Sequence, residues 1–174
     1  MKIEMGESLI YSWLRHEKLC QLVQTNWKVS PFWELENRQD VETLFVICRN
    51  YFLEKHSFDI SKGCSLEQFL KQAEIDGIGI AYSTEAQYIY AVDVAYHEGG
   101  LNYGGKDETI TKIAQKCIRT ALCLYGYFCM STGEVLFVSP KITPAIETAL
   151  VPLFDEISKL LHDNGLNIKA ILHC

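Results

Sequence analysis

Glu74-Ile75-Asp76-Gly77-Ile78-Gly79-Ile80-Ala81-Tyr82, followed five residues later by Tyr88-Ile89-Tyr90-Ala91-Val92-Asp93-Val94-Ala95-Tyr96-His97, decides how this chain folds. Both runs are rich in Ile, Val, Tyr and Ala, and Ser83 to Gln87 between them reads as a hairpin turn. Side chains alternate across a strand. Glu74, Asp76, Ile78, Ile80 and Tyr82 therefore share one face of the first run, and Ile89, Ala91, Asp93, Ala95 and His97 share one face of the second. With Tyr82 paired to Gln87, Asp76 falls opposite Asp93, with Cβ atoms about 5 Å apart. Like charges so placed destabilise a sheet, and a divalent cation is the simplest remedy for two facing carboxylates. Local rules broken together point to a functional site. The competing reading is a one-residue slip, which would flip a strand and leave the acids merely solvated.

Helices are expected on either side of this hairpin. Residues 5 to 24 repeat apolar side chains at three- and four-residue steps (Ile10, Trp13, Leu14, Cys20, Val23) and read as a first helix. Asn26 to Glu36, with Ser30-Pro31 and three aromatics, reads as a connection with buried anchors. Asp40 is placed to cap a second helix reaching about Glu54, and Ser65 with Gln68 forms a capping-box signature for a short third one. Gly99-Gly100 and Gly104-Gly105 mark a loop, after which a long helix runs from about Asp107 to Phe128. A strand over Glu134 to Ser139 follows. A helix then opens at Thr143-Pro144 and closes near Asn164-Gly165, before a last short strand over Ile168 to Leu172. The reading is an α/β fold, a mixed sheet flanked by helices, in one domain over residues 1–174.

Composition narrows the function. Hydrophobic residues make up 48% and charged residues 22% of the chain, as in a folded globular domain. No apolar run approaches the ~20 residues that span a bilayer, and acids stand among the first seven residues where a secretion signal needs an apolar stretch. The net charge of −6 argues against a broad basic surface for duplex binding and leaves room for a local basic patch. Seven cysteines without a C-x-x-C pair read as reduced, mostly buried thiols, which points to a cytoplasmic setting.

Two further features meet the acid pair. Glu7 shares the inward side of the first helix with Ile10 and Leu14, although an acid in a first turn is also favoured by the helix dipole alone. Lys112, Lys116 and Arg119 form one basic stripe on the long helix. A solvated charged face is the ordinary explanation, and holding a phosphate backbone against the acids is the functional one.

Gly6-Glu7 at a helix start, then Glu74-Ile75-Asp76-Gly77-Ile78, then Tyr90-Ala91-Val92-Asp93-Val94-Ala95 resembles the PD-(D/E)XK nuclease superfamily, in particular its restriction-endonuclease-like and Holliday-junction-resolvase-like branches. The resemblance covers Glu4 to about Ser139. It implies an α-β-β-β-α-β core, here with a helical insertion after the first helix. It also implies that Glu7, Asp76 and Asp93 bind Mg²⁺ or Mn²⁺ for phosphodiester hydrolysis of DNA, or of RNA, with a homodimer as one form of assembly. The family lysine two residues after the second strand acid is replaced by Ala95. His97, on the Asp93 face, and Lys112 or Lys116, from the next helix, are the candidates to replace it. If none does, the domain is a catalytically inactive nuclease-like module that binds nucleic acid or a protein partner.

Overall fold

The computed structural model describes residues 2–83, 86–96 and 99–173, with side chains from residue 5 onward. Ten elements follow in the order α1 (Lys2–His16), β1 (Leu22–Lys28), α2 (Arg38–His56), α3 (Leu66–Lys71), β2 (Glu74–Tyr82), β3 (Gln87–Val94), α4 (Lys106–Phe128), β4 (Thr132–Val138), α5 (Pro144–Asp163) and β5 (Asn167–His173). The five strands form one mixed sheet in the spatial order β1-β2-β3-β4-β5. β1, β2 and β3 are antiparallel neighbours, whereas β3, β4 and β5 run parallel. The change of direction follows from the connections. A short turn joins β2 to β3, and the helices α4 and α5 supply the long crossovers that parallel neighbours require.

Two expectations fail at the N-terminus: the first helix starts at Lys2, so Gly6-Glu7 lies a turn inside it and not at its opening, and its end also differs. The first helix ends at His16, not near residue 24, and Leu22–Lys28 is an edge strand. Leu19 takes a left-handed backbone (φ 54°), which an α-helix cannot continue through. The strand then hides its own period. Val23 packs into the cluster under α1, while Trp27, four residues on, packs into the opposite core. Between them Asn26 is also left-handed (φ 53°) and inverts the alternation. The helical insertion, α2 and α3, accordingly follows β1 and not the first helix. Smaller departures are that α2 begins at Arg38, ahead of Asp40, and that β3 stops at Val94. The Ser65–Gln68 capping box forms as the spacing predicts.

The sheet buries its two faces unequally. α4 and α5, with α2 and α3 packed on α4, cover one face with a continuous apolar core that includes Ile78, Ile89, Ile113, Phe137 and Ile157. α1, through Ile10 and Leu14, and Cys20 in the connection after it cover the other against Val92 and Leu136. Two glycines let α1 approach this closely. A Cβ at Gly77 would lie 2.6 Å from Ile10 Cγ2, and one at Gly79 would lie 2.7 Å from Cys20 Sγ. Both distances are below van der Waals contact, so the glycines of β2 set the depth at which α1, and with it Glu7, meets the sheet.

Cys20, Cys48, Cys117 and Cys123 are buried free thiols, while Cys64 is half-buried and Cys129 exposed. Burial pushes the Cys48 thiol up to about 12, so it stays protonated and unreactive. Among the described residues no helix is long and apolar enough to cross a membrane.

Candidate active site

The register of the hairpin places the two acids. Tyr82 pairs with Gln87, and the pairing runs without a slip to Gly77 opposite Val92. The paired ladder ends there, and Asp76, the next residue of β2, meets β3 beside Asp93 through its carboxylate, which accepts the Val94 N–H. On the other side, Thr25 pairs with Gly77 and Trp27 with Ile75, so Asn26 stands across from Asp76. Asn26, Asp76 and Asp93 thus form a row across β1, β2 and β3.

Asp93 is only 2% exposed. Its side chain points to α4, where Lys116 Nζ lies 3.4 Å from Oδ1 and the Thr120 hydroxyl donates to Oδ2 at 3.3 Å. Lys116 and Thr120 are four residues apart, which puts both over one spot on the helix face. Burial raises the Asp93 carboxyl to about 6. Lys116 opposes that rise, and the neighbouring Asp76 adds to it. Asp76 accepts the Val94 backbone N–H at Oδ2, 2.6 Å away. Its carboxyl is also raised, by burial first, with Val94 and Lys116 opposing and Glu7 and Glu74 reinforcing. Burial pulls Lys116 down, but Asp93, Tyr103 and Asp76 together raise it, so the ammonium remains charged. One cation serves two carboxylates.

Glu7 reaches the row from α1. Asn26 Nδ2 donates to Glu7 Oε2 at 3.1 Å, and the Glu7 charge is felt at Asp76. Left-handed backbone is tolerated by asparagine better than by most residues, which is why this side chain can stand inside a strand. A small polar cleft of about 80 Å³ opens beside Asp93 between Glu74, Lys116, Arg119 and Thr120.

The remaining candidates are placed elsewhere. Lys112 donates to the Tyr103 carbonyl at 3.0 Å and pairs with Glu108 at 2.9 Å, tying the loop before α4 to the helix and not meeting the acids. Arg119 lies over the Phe69 ring and bonds to Gln72. His97 lies outside the described residues. Ala95 is 4% exposed and donates its N–H to the Val138 carbonyl, so its place is filled by core packing. Thr120 and Asn26 were missed by sequence reasoning. The four-residue step from Lys116 was available as a signal for Thr120, whereas nothing local marks Asn26.

The donors in the row are carboxylate oxygens, the chemistry that suits Mg²⁺, which keeps several waters and needs only one or two protein carboxylates. Among the described residues no three His, Cys, Asp or Glu side chains are gathered to hold a metal ion. Compared with protein-family models, with curated proteins and with solved structures, the chain has no match.

Proposed function

We propose that this chain is a metal-dependent nuclease of the PD-(D/E)XK type, hydrolysing phosphodiesters of DNA before RNA. The observation that carries the reading is Asp93 with Lys116 held against it and Asp76 bonded beside it to the Val94 N–H. Two carboxylates that repel each other, Asp93 buried and Asp76 half-buried, are kept on adjacent strands although an apolar pair would stabilise the sheet more. The element order supports the same reading, because α1-β1-β2-β3-α4-β4 with α2 and α3 inserted after β1 has the sequence of that family's core.

Asp76 and Asp93, with Glu7 beside them, would hold the cation. When bound, Mg²⁺ supplies an activated water and offsets charge on the scissile phosphate. The chain's own groups then have separable tasks. Thr120 and Lys116 fix the Asp93 carboxylate, and Asn26 fixes Glu7. Lys116 is half-buried and lines the cleft beside Asp93, where it would supply the positive charge absent at Ala95.

The test is Mg²⁺-dependent cleavage of duplex, single-stranded and branched DNA, with Mn²⁺ binding followed by electron paramagnetic resonance. Wild type is expected to bind and cut, Asp76→Asn and Asp93→Asn to do neither, and Lys116→Ala to bind without cutting. The inactive-module reading is favoured by the burial of Ala95, and a wild type that neither binds Mn²⁺ nor cuts any substrate would establish it. Cleavage restored by Ala95→Lys in an otherwise silent protein would assign the loss to the lysine alone.

A further inference from the structure

On the far side of β1 from α1, the segment after the strand builds an aromatic bowl that the nuclease reading does not use. Its cavity is about 600 Å³. Trp27 forms the floor, held by Phe128 at a ring separation of 5.3 Å. Trp33 and Tyr127 form the walls, with ring centroids 5.8 and 6.2 Å from Trp27, 6.1 Å from each other, and planes tilted by 34–55°. The Trp33 side chain is 49% exposed and Phe32 at the rim 91%.

The loop holds these rings outward by its own hydrogen bonds. Ser30 accepts the Trp33 N–H at its carbonyl and the Phe32 N–H at its hydroxyl. Gln24 and two acids complete the rim. Glu34 and Glu36 line the cavity, no lysine or arginine does, and among the described residues neither glutamate has a basic partner.

Aromatic faces carry negative potential, and exposed aromatic surface at the mouth, chiefly Trp33 over the nearly buried Trp27, favours a cation with an apolar coat. Two unpaired carboxylates at the rim add to that field. A nucleic acid stacked on the same rings would bring its phosphates against Glu34 and Glu36. We propose that this bowl is a binding site for an organic ammonium ion, either a free quaternary amine or a methylated lysine side chain of another protein.

The test follows the indole N–H resonances of Trp27 and Trp33 in the ¹⁵N-labelled 174-residue chain; Trp33→Ala assigns the second and leaves Trp27 to report binding in that variant. The probes are tetramethylammonium, choline, a trimethyllysine peptide, the neutral choline isostere 3,3-dimethylbutan-1-ol, and oligothymidylate. Saturable shifts are expected with the cations, about tenfold weaker binding of the neutral isostere, and loss of binding in Trp33→Ala. Glu34→Gln/Glu36→Gln should weaken the cations severalfold and leave the isostere unchanged. Tighter binding of the peptide than of choline would name a protein side chain as the source, and the reverse a free amine. Equal affinity for the neutral isostere, preference for oligothymidylate, or no saturation by any cation at millimolar concentration would overturn the proposal. Trp33 is a surface residue, and thermal unfolding of Trp33→Ala checks that the variant is folded.

Discussion

Glu156 on α5 and Asp93 on β3 each face a lysine, in surroundings that differ in donor supply. Glu156 receives Lys55 at 3.0 Å, His56 at 2.7 Å and the Tyr51 hydroxyl at 3.3 Å. Burial alone would raise its carboxyl, but the bonds from Lys55 and His56 outweigh burial and hold it below the ordinary range. Asp93 has longer contacts to Lys116 and Thr120, is more deeply buried, and shares its one cation with Asp76. Its carboxyl rises instead. Three donors on one acid make a cluster that pins α5 to the end of α2. Two acids on one lysine leave a site short of positive charge, which a bound cation would supply.

The sharpest way to break this contrast is Asp93→Asn. It should abolish Mn²⁺ binding and lower cleavage by more than about a hundredfold, the scale expected when a metal-holding carboxylate is lost. It should also change the pH dependence of stability. Asp93 sits near 6 in the fold against an ordinary 3.8. A raised carboxyl binds its proton more tightly in the folded state, so its contribution is complete below the ordinary value and is lost as pH climbs through the folded one. At 1.36 kcal/mol per unit, wild type should lose at most about 3 kcal/mol across that window relative to Asp93→Asn, read from urea unfolding at a series of pH values. A variant that tracked wild type at every pH would end the argument from burial.

Lys116→Met should be next in size. It leaves Asp93 buried without its cation, so the carboxyl climbs further and stability falls by about 2 kcal/mol at pH 8. That is less than the full cost of breaking a buried pair, because Lys116 is partly solvated. Stability should return toward wild type as Asp93 is protonated in acid, which thermal unfolding would follow.

Glu156→Gln tests the other cluster, with the opposite sign. A lowered carboxyl contributes above its ordinary value of 4.5 and loses that contribution as pH falls through the folded value. The variant should therefore be less stable than wild type by about 1 kcal/mol at neutral pH and converge with it in acid, with Mn²⁺ binding unchanged.

Lys112→Ala should have the smallest effect, within about 0.5 kcal/mol and silent in Mn²⁺ binding, because its partners are the Tyr103 carbonyl and Glu108. A loss of cleavage in Lys112→Ala with Lys116→Ala active would exchange the roles of the two lysines.

Much of the hairpin was legible in the residues. Alternation and a short turn are local properties, and they set Tyr82 against Gln87 and carry the register to Gly77 against Val92, next to the two acids. β1 was not legible, because Leu19 and Asn26 take left-handed backbones that nothing in their neighbourhood requires. Cys20 and Val23 therefore continued a helical period in the sequence, although in space Cys20 lies in the connection after α1 and Val23 in a strand. The contact of α1 with Gly77 and Gly79 and the sheet edge that β1 completes hold that segment in place, and both are contacts between distant parts of the chain.

The amino-acid sequence by itself determined the α/β class, the helix and strand order from Ser65 onward, and which side chains share a face along β3. Only the tertiary structure decided that Lys116 and not Lys112 meets Asp93, that Thr120 takes the second carboxylate oxygen, and that Asn26 joins Glu7 to the row. Spacing along one helix or strand states which residues point the same way. How far a helix slides and turns over a sheet is set by the packing of the whole core, and a hydrogen bond between two elements depends on that placement to within an ångström.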